Sequence, residues 1–373
     1  MGKKKYSQLM LMDHSKAKVE LLEKYLQKYL SIISNDKFTE KIHLFDLFCG
    51  EGIYENGGEG SPIITLKVLK ELHFLNKAKN NKIPKVDLIF NDSDNNKIEK
   101  LKETINKKKL HYEDFGKLSF RNKDYKEIVP KLSNYLEGFK NEKAFIFIDP
   151  YGYKEIRASE IKSLLESKKS EVLLFLPTQF MYRFDEKGTP QALIEILEEL
   201  VDTKDWKTTN SVYAFIEQFN NALREYLGND FFVDTFTIEK DEKTVYCLFF
   251  FSSHIRGFEK MLETKWEIDH DNGKGWSYEK TGDIFSKLKT NELEERLLKL
   301  LKGSTKLYNG HIFDFTLRQG FLPKHTTEIF SSLQNDNRIE VFSDTNSKVR
   351  KGAFYINYEN YKKDFKKVYF KIK

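Results

Sequence analysis

Three short runs in this 373-residue sequence bring acids, glycines and aromatic rings together in spacings that suit ligand chemistry. The first is Asp46-Leu47-Phe48-Cys49-Gly50-Glu51-Gly52. Glycines after a strand let the backbone approach a ligand closely, and open α/β sheets take nucleotides in the crevice beyond the carboxyl ends of their strands. Asp46, Phe48, Gly50 and Gly52 are therefore candidate cofactor-binding residues, the plain alternative being a tight strand-to-helix turn. The second is Asn91-Asp92, whose carboxylate can accept both ribose hydroxyls of an adenosine-containing ligand. Asp124, further along, is a candidate for the adenine amino group, and both acids would serve equally as helix N-caps.

The third run, Phe147-Ile148-Asp149-Pro150-Tyr151-Gly152, delivers an acid, a proline and a ring to the end of an apolar stretch. An acid and a proline carbonyl can accept hydrogen bonds from an exocyclic amine while an aromatic ring stacks on the base that bears it. Methyl transfer to such a nitrogen needs mainly in-line positioning. Asp149, Pro150 and Tyr151 are thus candidate catalytic residues, and S-adenosylmethionine is the expected cofactor. In the amino-methylating pattern a second proline precedes the aromatic, whereas here tyrosine stands third and glycine fourth, so Tyr153 is an alternative stacking ring.

The elements that must hold these runs follow from periodicity. Apolar, strand-forming segments at Ile42–Phe48, Val86–Asn91, Leu118–Asn122, Ala144–Ile148 and Val172–Leu176 alternate with helical patterns at Asn96–Lys108 and Tyr125–Leu136. Alternation of this kind predicts a parallel, doubly wound sheet. Ser61-Pro62 suits an N-cap followed by the first helical residue. After a helix near Ser211–Leu227, Phe231–Glu239 and Thr244–Phe251 flank a short polar turn and predict a hairpin. Five parallel strands closed by a hairpin match a Rossmann-like α/β fold with the seven-stranded methyltransferase sheet better than a dehydrogenase sheet. Before all of this, Val19, Leu22, Leu26, Tyr29 and Leu30 line one face of a helix over residues 14–30. His14 and Lys18 lie four apart on that helix, as part of a solvated face or as ligand contacts.

From Asn291 the texture changes. Leu293–Leu301, Tyr308–Arg318 and Pro323–Gln334 read as three short helices, and Ile339–Phe342 and Ala353–Tyr358 as two strands around the basic turn Ser343–Gly352. Three helices and a β-wing describe a winged helix-turn-helix module. Domains are expected at 1–284 and 285–373. From Phe285 to the end there are 18 Lys/Arg against 10 Asp/Glu, so this segment carries the excess behind a net charge of +6. Lys324, His325 and Thr326 at the third helix and Lys348, Arg350 and Lys351 on the wing are candidate DNA or RNA contacts, although winged helices also bind proteins.

Composition narrows the classes further. With 39% hydrophobic residues and 31 Phe the chain can fill a large core. No apolar run is long enough to span a membrane and no secretory leader is evident, so a cytoplasmic protein without a membrane partner is expected. Cys49 and Cys247 stand far apart, which points to neither a disulfide framework nor a structural metal.

His14-Ser15-Lys16-Ala17-Lys18 with Leu22 and Tyr25-Leu26, the DLFCGEG run, Gly60-Ser61-Pro62, Asp149-Pro150-Tyr151-Gly152 and the segment from Met261 to Trp266 together resemble the three-Cys-motif partner (TcmP) family, over nearly the whole length. The resemblance implies a methyltransferase-like fold with a C-terminal winged helix. It also implies a partner bearing three cysteines that looks like a radical-type S-adenosylmethionine protein, and it implies no particular substrate. The leading expectation is S-adenosylmethionine-dependent methylation of a nucleic-acid base, at an exocyclic amine. The alternatives are a cofactor-binding, nucleic-acid-tethering subunit of the three-cysteine partner, without independent turnover, and a DNA-binding regulator whose sheet senses a ligand.

Overall fold

The computed structural model describes residues 12–79, 85–185, 191–202, 205–278 and 291–373. They form two compact units, the first taking residues up to 257 with 275–278, the second 258–274 with 291–373. The expected boundary at 284/285 lies outside the described residues.

In the first unit β1 (Lys41–Asp46), β2 (Lys85–Asn91), β3 (Leu118–Arg121), β4 (Glu142–Ile148) and β5 (Ser170–Leu176) pair in parallel. β6 (Phe232–Asp241) and β7 (Thr244–Ser252) form the hairpin, and β7 enters antiparallel beside β5. The strand order β3-β2-β1-β4-β5-β7-β6 is that of the seven-stranded methyltransferase sheet, and β8 (Gly275–Ser277) extends it by one strand parallel to β6. Every residue of β5 is buried, as a central parallel strand covered on both faces requires, whereas the edge strand β3 is short and half-exposed.

Both faces are covered by helices. α1 (Asp13–Ser34), α2 (Ser61–Ala78) and α3 (Asn95–Lys108) precede β3, and α4 (Tyr125–Glu137) and α5 (Ala158–Leu165) flank β4. α6 (Thr178–Asp185), α7 (Gln191–Leu200) and α8 (Val212–Leu227) lead into the hairpin, and α9 (Ile255–Ile268) follows it. The period of two along β7 divides its side chains: Phe249 and Phe251 enter the core that contains Leu136, Leu164 and Phe219, while Phe250 turns to the other face and meets Tyr25 of α1 edge-on at 5.0 Å. Tyr25 and Tyr29 also pack on Phe145 of β4.

A polar tether reinforces this packing. The Tyr25 hydroxyl donates to Glu171 Oε2, and Ser252 Oγ donates to Glu171 Oε1 at 2.8 Å. Burial pushes the Glu171 carboxyl up to about 7. A Cβ at Gly257 would lie 1.8 Å from Glu171 Oε1, so any larger residue there would displace this carboxylate.

The second unit is a winged helix. α10 (Asn291–Lys302), β9 (Leu307–Tyr308), α11 (Asn309–Arg318) and α12 (Pro323–Asn335) are followed by β10 (Ile339–Ser343), α13 (Tyr358–Lys363) and β11 (Val368–Ile372). The sheet is antiparallel in the order β10-β11-β9. The strand expected at Ala353–Tyr358 is not formed. Phe354 and Ile356 are apolar because they fill the core, Phe354 against Phe330 and Phe370, and Tyr355 between them has φ 55°, in the left-handed region that ends a strand. Val368–Ile372 takes the place beside β10, and the wing closes through a single bridge between Phe342 and Lys348.

Candidate functional site

The three sequence runs converge on one rim. Asp46 ends β1, Asp92 directly follows β2 and Asp149 directly follows β4; because β2-β1-β4 are adjacent and parallel, all three acids stand at the carboxyl edge of the sheet. Topology alone brings together residues separated by a hundred positions.

The floor of the rim is tightly made. Asp46 is buried, its Oδ2 accepting from Ser61 Oγ at 2.6 Å and its Oδ1 from the Phe48 amide at 3.3 Å. Burial holds its carboxyl up at about 7, with the nearby Asp149 and Asp92 acting in the same direction. Ser61 is therefore committed to Asp46, and Gly60 is the N-cap in its place. Gly50 (φ 63°) sends its amide to Asp92 Oδ2 at 3.1 Å, and a Cβ on it would meet nothing within 4 Å. Gly52 (φ 78°) faces the opposite situation, since a Cβ would come within 2.6 Å of Leu101 of α3. The Phe48 ring stacks on Tyr125 at 5.4 Å, and burial pushes the Cys49 thiol up, which keeps it un-ionised.

Asp92 also accepts from the Asp94 amide at 2.9 Å and faces Lys97 Nζ at 3.5 Å. Lys97 lies 4.3 Å over the Tyr151 ring and bonds its hydroxyl. Asp124 is the N-cap of α4, its carboxylate accepting from the Lys126 amide at 2.9 Å. Asn91, buried behind the rim, donates to the carbonyls of Leu47 at 3.1 Å and Lys123 at 3.0 Å and so ties three strand ends together.

Around Asp149 the side chains divide. Tyr151 is 60% exposed, whereas Tyr153 is 5% exposed and belongs to the hydrophobic core, which removes it as a stacking ring. The larger departure is α1. His14 and Lys18 are not on a solvated face: Lys18 is only 7% exposed, its ammonium donates to Asp149 Oδ2, and it lies 4.6 Å over the Phe175 ring. Burial alone would lower the Lys18 ammonium, but the Asp149 carboxylate outweighs it and holds Lys18 above its ordinary value. His14 stacks on Tyr246 at 5.3 Å and Tyr246 on Phe175 at 5.1 Å; burial, then the nearby Lys240 and Lys18, depress His14 to about 4. Lys97 is thus a candidate site residue that motif reading passed over, and Lys18 one whose spacing had left open a solvated face or a ligand contact. The signal for Lys18 was present, because it sits on the same helical stripe as Leu22, Tyr25 and Tyr29, where a charge has to find a buried partner.

In the second unit the expected contacts separate. Lys324 is exposed, but His325 and Thr326 are core residues and are corrected accordingly. His325 Nδ1 accepts from the Leu322 amide at 3.1 Å, its ring packs 4.3 Å from Trp266, and burial depresses it to about 4. Thr326 shares a 2.7 Å hydrogen bond with Thr316 of α11. Proline and a helix start make that tripeptide resemble a groove-facing turn, yet helical geometry turns positions 325 and 326 inward with Ile329 and Phe330. Lys348 pairs with Glu340 at 2.9 Å, and Arg350 and Lys351 are exposed.

No helix among the described residues is long and apolar enough to cross a membrane, and no group of three or more His, Cys, Asp or Glu residues among them is placed to hold a metal ion. A family model described as a GMT-like wHTH domain matches residues 269–346. No curated protein matches the chain. Among solved structures, the chain is similar to the O-methyltransferase TomG from Streptomyces achromogenes in complex with SAM, at 10% identity and a TM-score of 0.34, over 62% of this chain and 79% of that one. It is similar to an rRNA methylase from Streptococcus thermophilus, at 9% identity and a TM-score of 0.31 over 62% and 92%. It is also similar to the methyltransferase domain of bacterial CtHen1, at 11% and 0.29 over 61% and 97%.

Proposed function

We propose that the first unit is an S-adenosylmethionine-dependent methyltransferase acting on a nucleic-acid base, at an exocyclic amine, with the second unit holding the DNA or RNA. The observation that carries this reading is the convergence of Asp46, Asp92 and Asp149 on one edge of a methyltransferase-type sheet. The residues fit the cofactor in a respect independent of motif: the space beyond Gly50 and beyond Gly152 is open to at least 4 Å. Asp46, Phe48, Gly50 and Gly52 would form the cradle, Asp92 would receive the ribose hydroxyls and Asp124 the adenine edge. The bound cofactor supplies an electrophilic methyl group.

The chain's own residues then orient the acceptor. Asp149 and the Pro150 carbonyl accept from the amine, and Tyr151 offers an exposed ring to the base. Lys18 engages one oxygen of Asp149, and a carboxylate has a second with which to receive an N–H. Lys348, Arg350 and Lys351 would meet phosphates.

The test is transfer of a labelled methyl group to mixed DNA and RNA, alongside calorimetric binding of S-adenosylhomocysteine. Asp92→Ala is expected to weaken that binding about 10-fold or more, the scale of a lost charge-assisted pair of hydrogen bonds, and Asp149→Asn to abolish transfer while sparing binding. Cofactor binding without transfer to either polymer overturns the enzymatic reading. The second reading, a cofactor-binding subunit that serves a three-cysteine radical-type partner, is favoured by one observation, the engagement of Asp149 by Lys18. It requires activity only in the reconstituted pair.

A further inference from the structure

We propose that the second unit binds single-stranded nucleic acid on the outer face of its three-stranded sheet, rather than through the start of α12; this deepens the nucleic-acid reading above and rests on it.

The two faces of that sheet differ in chemistry. Along β11, Val368 and Phe370 point to the helices, where Phe370 packs 4.8 Å from Phe330, while Tyr369 and Lys371 alternate to the other side. On that outer side Tyr369, itself only 2% exposed, pairs in register with the half-buried Phe342 of β10 and Tyr308 of β9. Phe342 stacks on it at 5.5 Å and 21°, and Tyr308 meets it edge-on at 6.0 Å, so an aromatic row crosses all three strands.

Lysines surround the row. Lys306 and Lys371 share the Tyr369 ring at 4.9 and 5.5 Å, Lys371 also lies 5.8 Å from the Phe342 ring, and Lys366 lies 5.6 Å over Tyr308. None of these three forms an ion pair within 4.0 Å among the described residues, and the acid of this face, Glu340, is engaged by Lys348 and Lys373. Their stems cover the rings and their ammonium groups remain in water. Glu340 stands opposite Lys371 but is shared with Lys348 and Lys373, so cations outnumber it on this face and their mutual repulsion is relieved by a polyanion. Aromatic rings flanked by cations are also the pattern that carries single strands, phosphates on the lysines and bases against the two rings that keep exposed surface, Phe342 and Tyr308, with the buried Tyr369 as their support.

The start of α12 offers much less. His325 and Thr326 are buried, and the residues it exposes, Lys324, Thr327 and Glu328, include one charge of each sign.

The experiment uses the full chain and a labelled 20-nucleotide single strand, with a duplex of the same sequence for comparison, titrated by fluorescence anisotropy at several salt concentrations. Lys306→Gln/Lys366→Gln/Lys371→Gln is expected to weaken single-strand binding at least 10-fold and to lower the salt slope by about 2, since each contact to a single strand contributes about 0.7. Phe342→Leu should weaken it several-fold at an unchanged salt slope, and Lys324→Gln should bind as the parent chain does. Unaltered melting checks that each variant is folded. Parental affinity in the triple variant, or loss confined to Lys324→Gln, overturns the assignment of this face; preference for the duplex overturns the single-strand assignment. Failure of the parent chain to bind either polymer is a different result, which removes the nucleic-acid reading itself.

Discussion

Lys18, on a helix that precedes the sheet, donates its buried ammonium to Asp149, 131 residues later, at the end of β4. The acid read from sequence as the amine acceptor is therefore held by a cation from outside the strand-loop motif. Removing the cation alone leaves a half-sequestered carboxylate without compensation. Lys18→Met should destabilise the first unit by about 1–3 kcal/mol, below the full cost of breaking a buried pair because the rim is partly open to water. Lys18→Met/Asp149→Asn should recover part of the loss. Urea denaturation of the four proteins checks this, and strictly additive effects would contradict a direct coupling.

The two glycines of the first turn should respond differently to alanine. Both have positive φ, so each alanine carries about 1–2 kcal/mol of backbone strain. Gly52→Ala adds a collision with Leu101 and Ile63, which is expected to bring its cost to about 2–4 kcal/mol. Gly50→Ala should melt closer to the parent yet lose more affinity for S-adenosylhomocysteine, because its methyl group enters open space over the rim. Thermal melts and calorimetry separate the two effects.

Tyr151 and Tyr153 make a second contrast. Tyr153→Ala empties a core site and should destabilise by about 3–5 kcal/mol, whereas Tyr151→Ala should stay within about 0.5 kcal/mol of the parent and act on methyl transfer. A large stability loss at position 151 would show that its ring is structural.

Two buried groups give opposite pH signatures. Glu171 titrates near 7 in the fold against an ordinary 4.5, so its contribution to stability is complete below about 4.5 and is lost as pH rises through 7. Glu171→Gln, neutral throughout, should gain stability relative to the parent between pH 5 and 8. His325 is depressed to about 4 from 6.5, so its contribution is complete above 6.5 and is lost as pH falls through 4. His325→Asn should blunt the acid loss of the second unit and leave nucleic-acid affinity within about twofold, as expected of a core residue. Melting curves across pH 4–8 test both, and matching slopes for the two variants would refute the assignment.

Much of this architecture was legible because it is written in local periods. The parallel strands fall where apolar, strand-forming runs end in glycine or acid, and the hairpin that sets β7 against β5 is marked by the polar turn at Lys240 and Asp241. What escaped depends on contacts distant in sequence. Phe354 and Ile356 alternate like a strand but are buried in the core, Phe354 against Phe330 and Phe370, and the true strand at Val368–Ile372 lies within a lysine-rich tail. Lys18 is one more lysine in a lysine-rich chain until Asp149 and Phe175 are set around it. Thr326 and the Nδ1 of His325 find hydrogen-bond partners inside the fold, so polarity was a poor guide to exposure there.

Asn91 carries a mechanical consequence. By stitching the ends of β1, β2 and the β3 turn into one piece, its amide leaves the base of the crevice nothing to give when a ligand arrives. Accommodation then falls to the neighbouring segments, the short glycine-rich ribbon that carries Tyr54 and is closed by the bridge between Ile53 and Glu59, and the start of α1, whose Lys18 reaches Asp149. Amide exchange should slow on ligand addition in those two stretches and stay level along the strand ends below them.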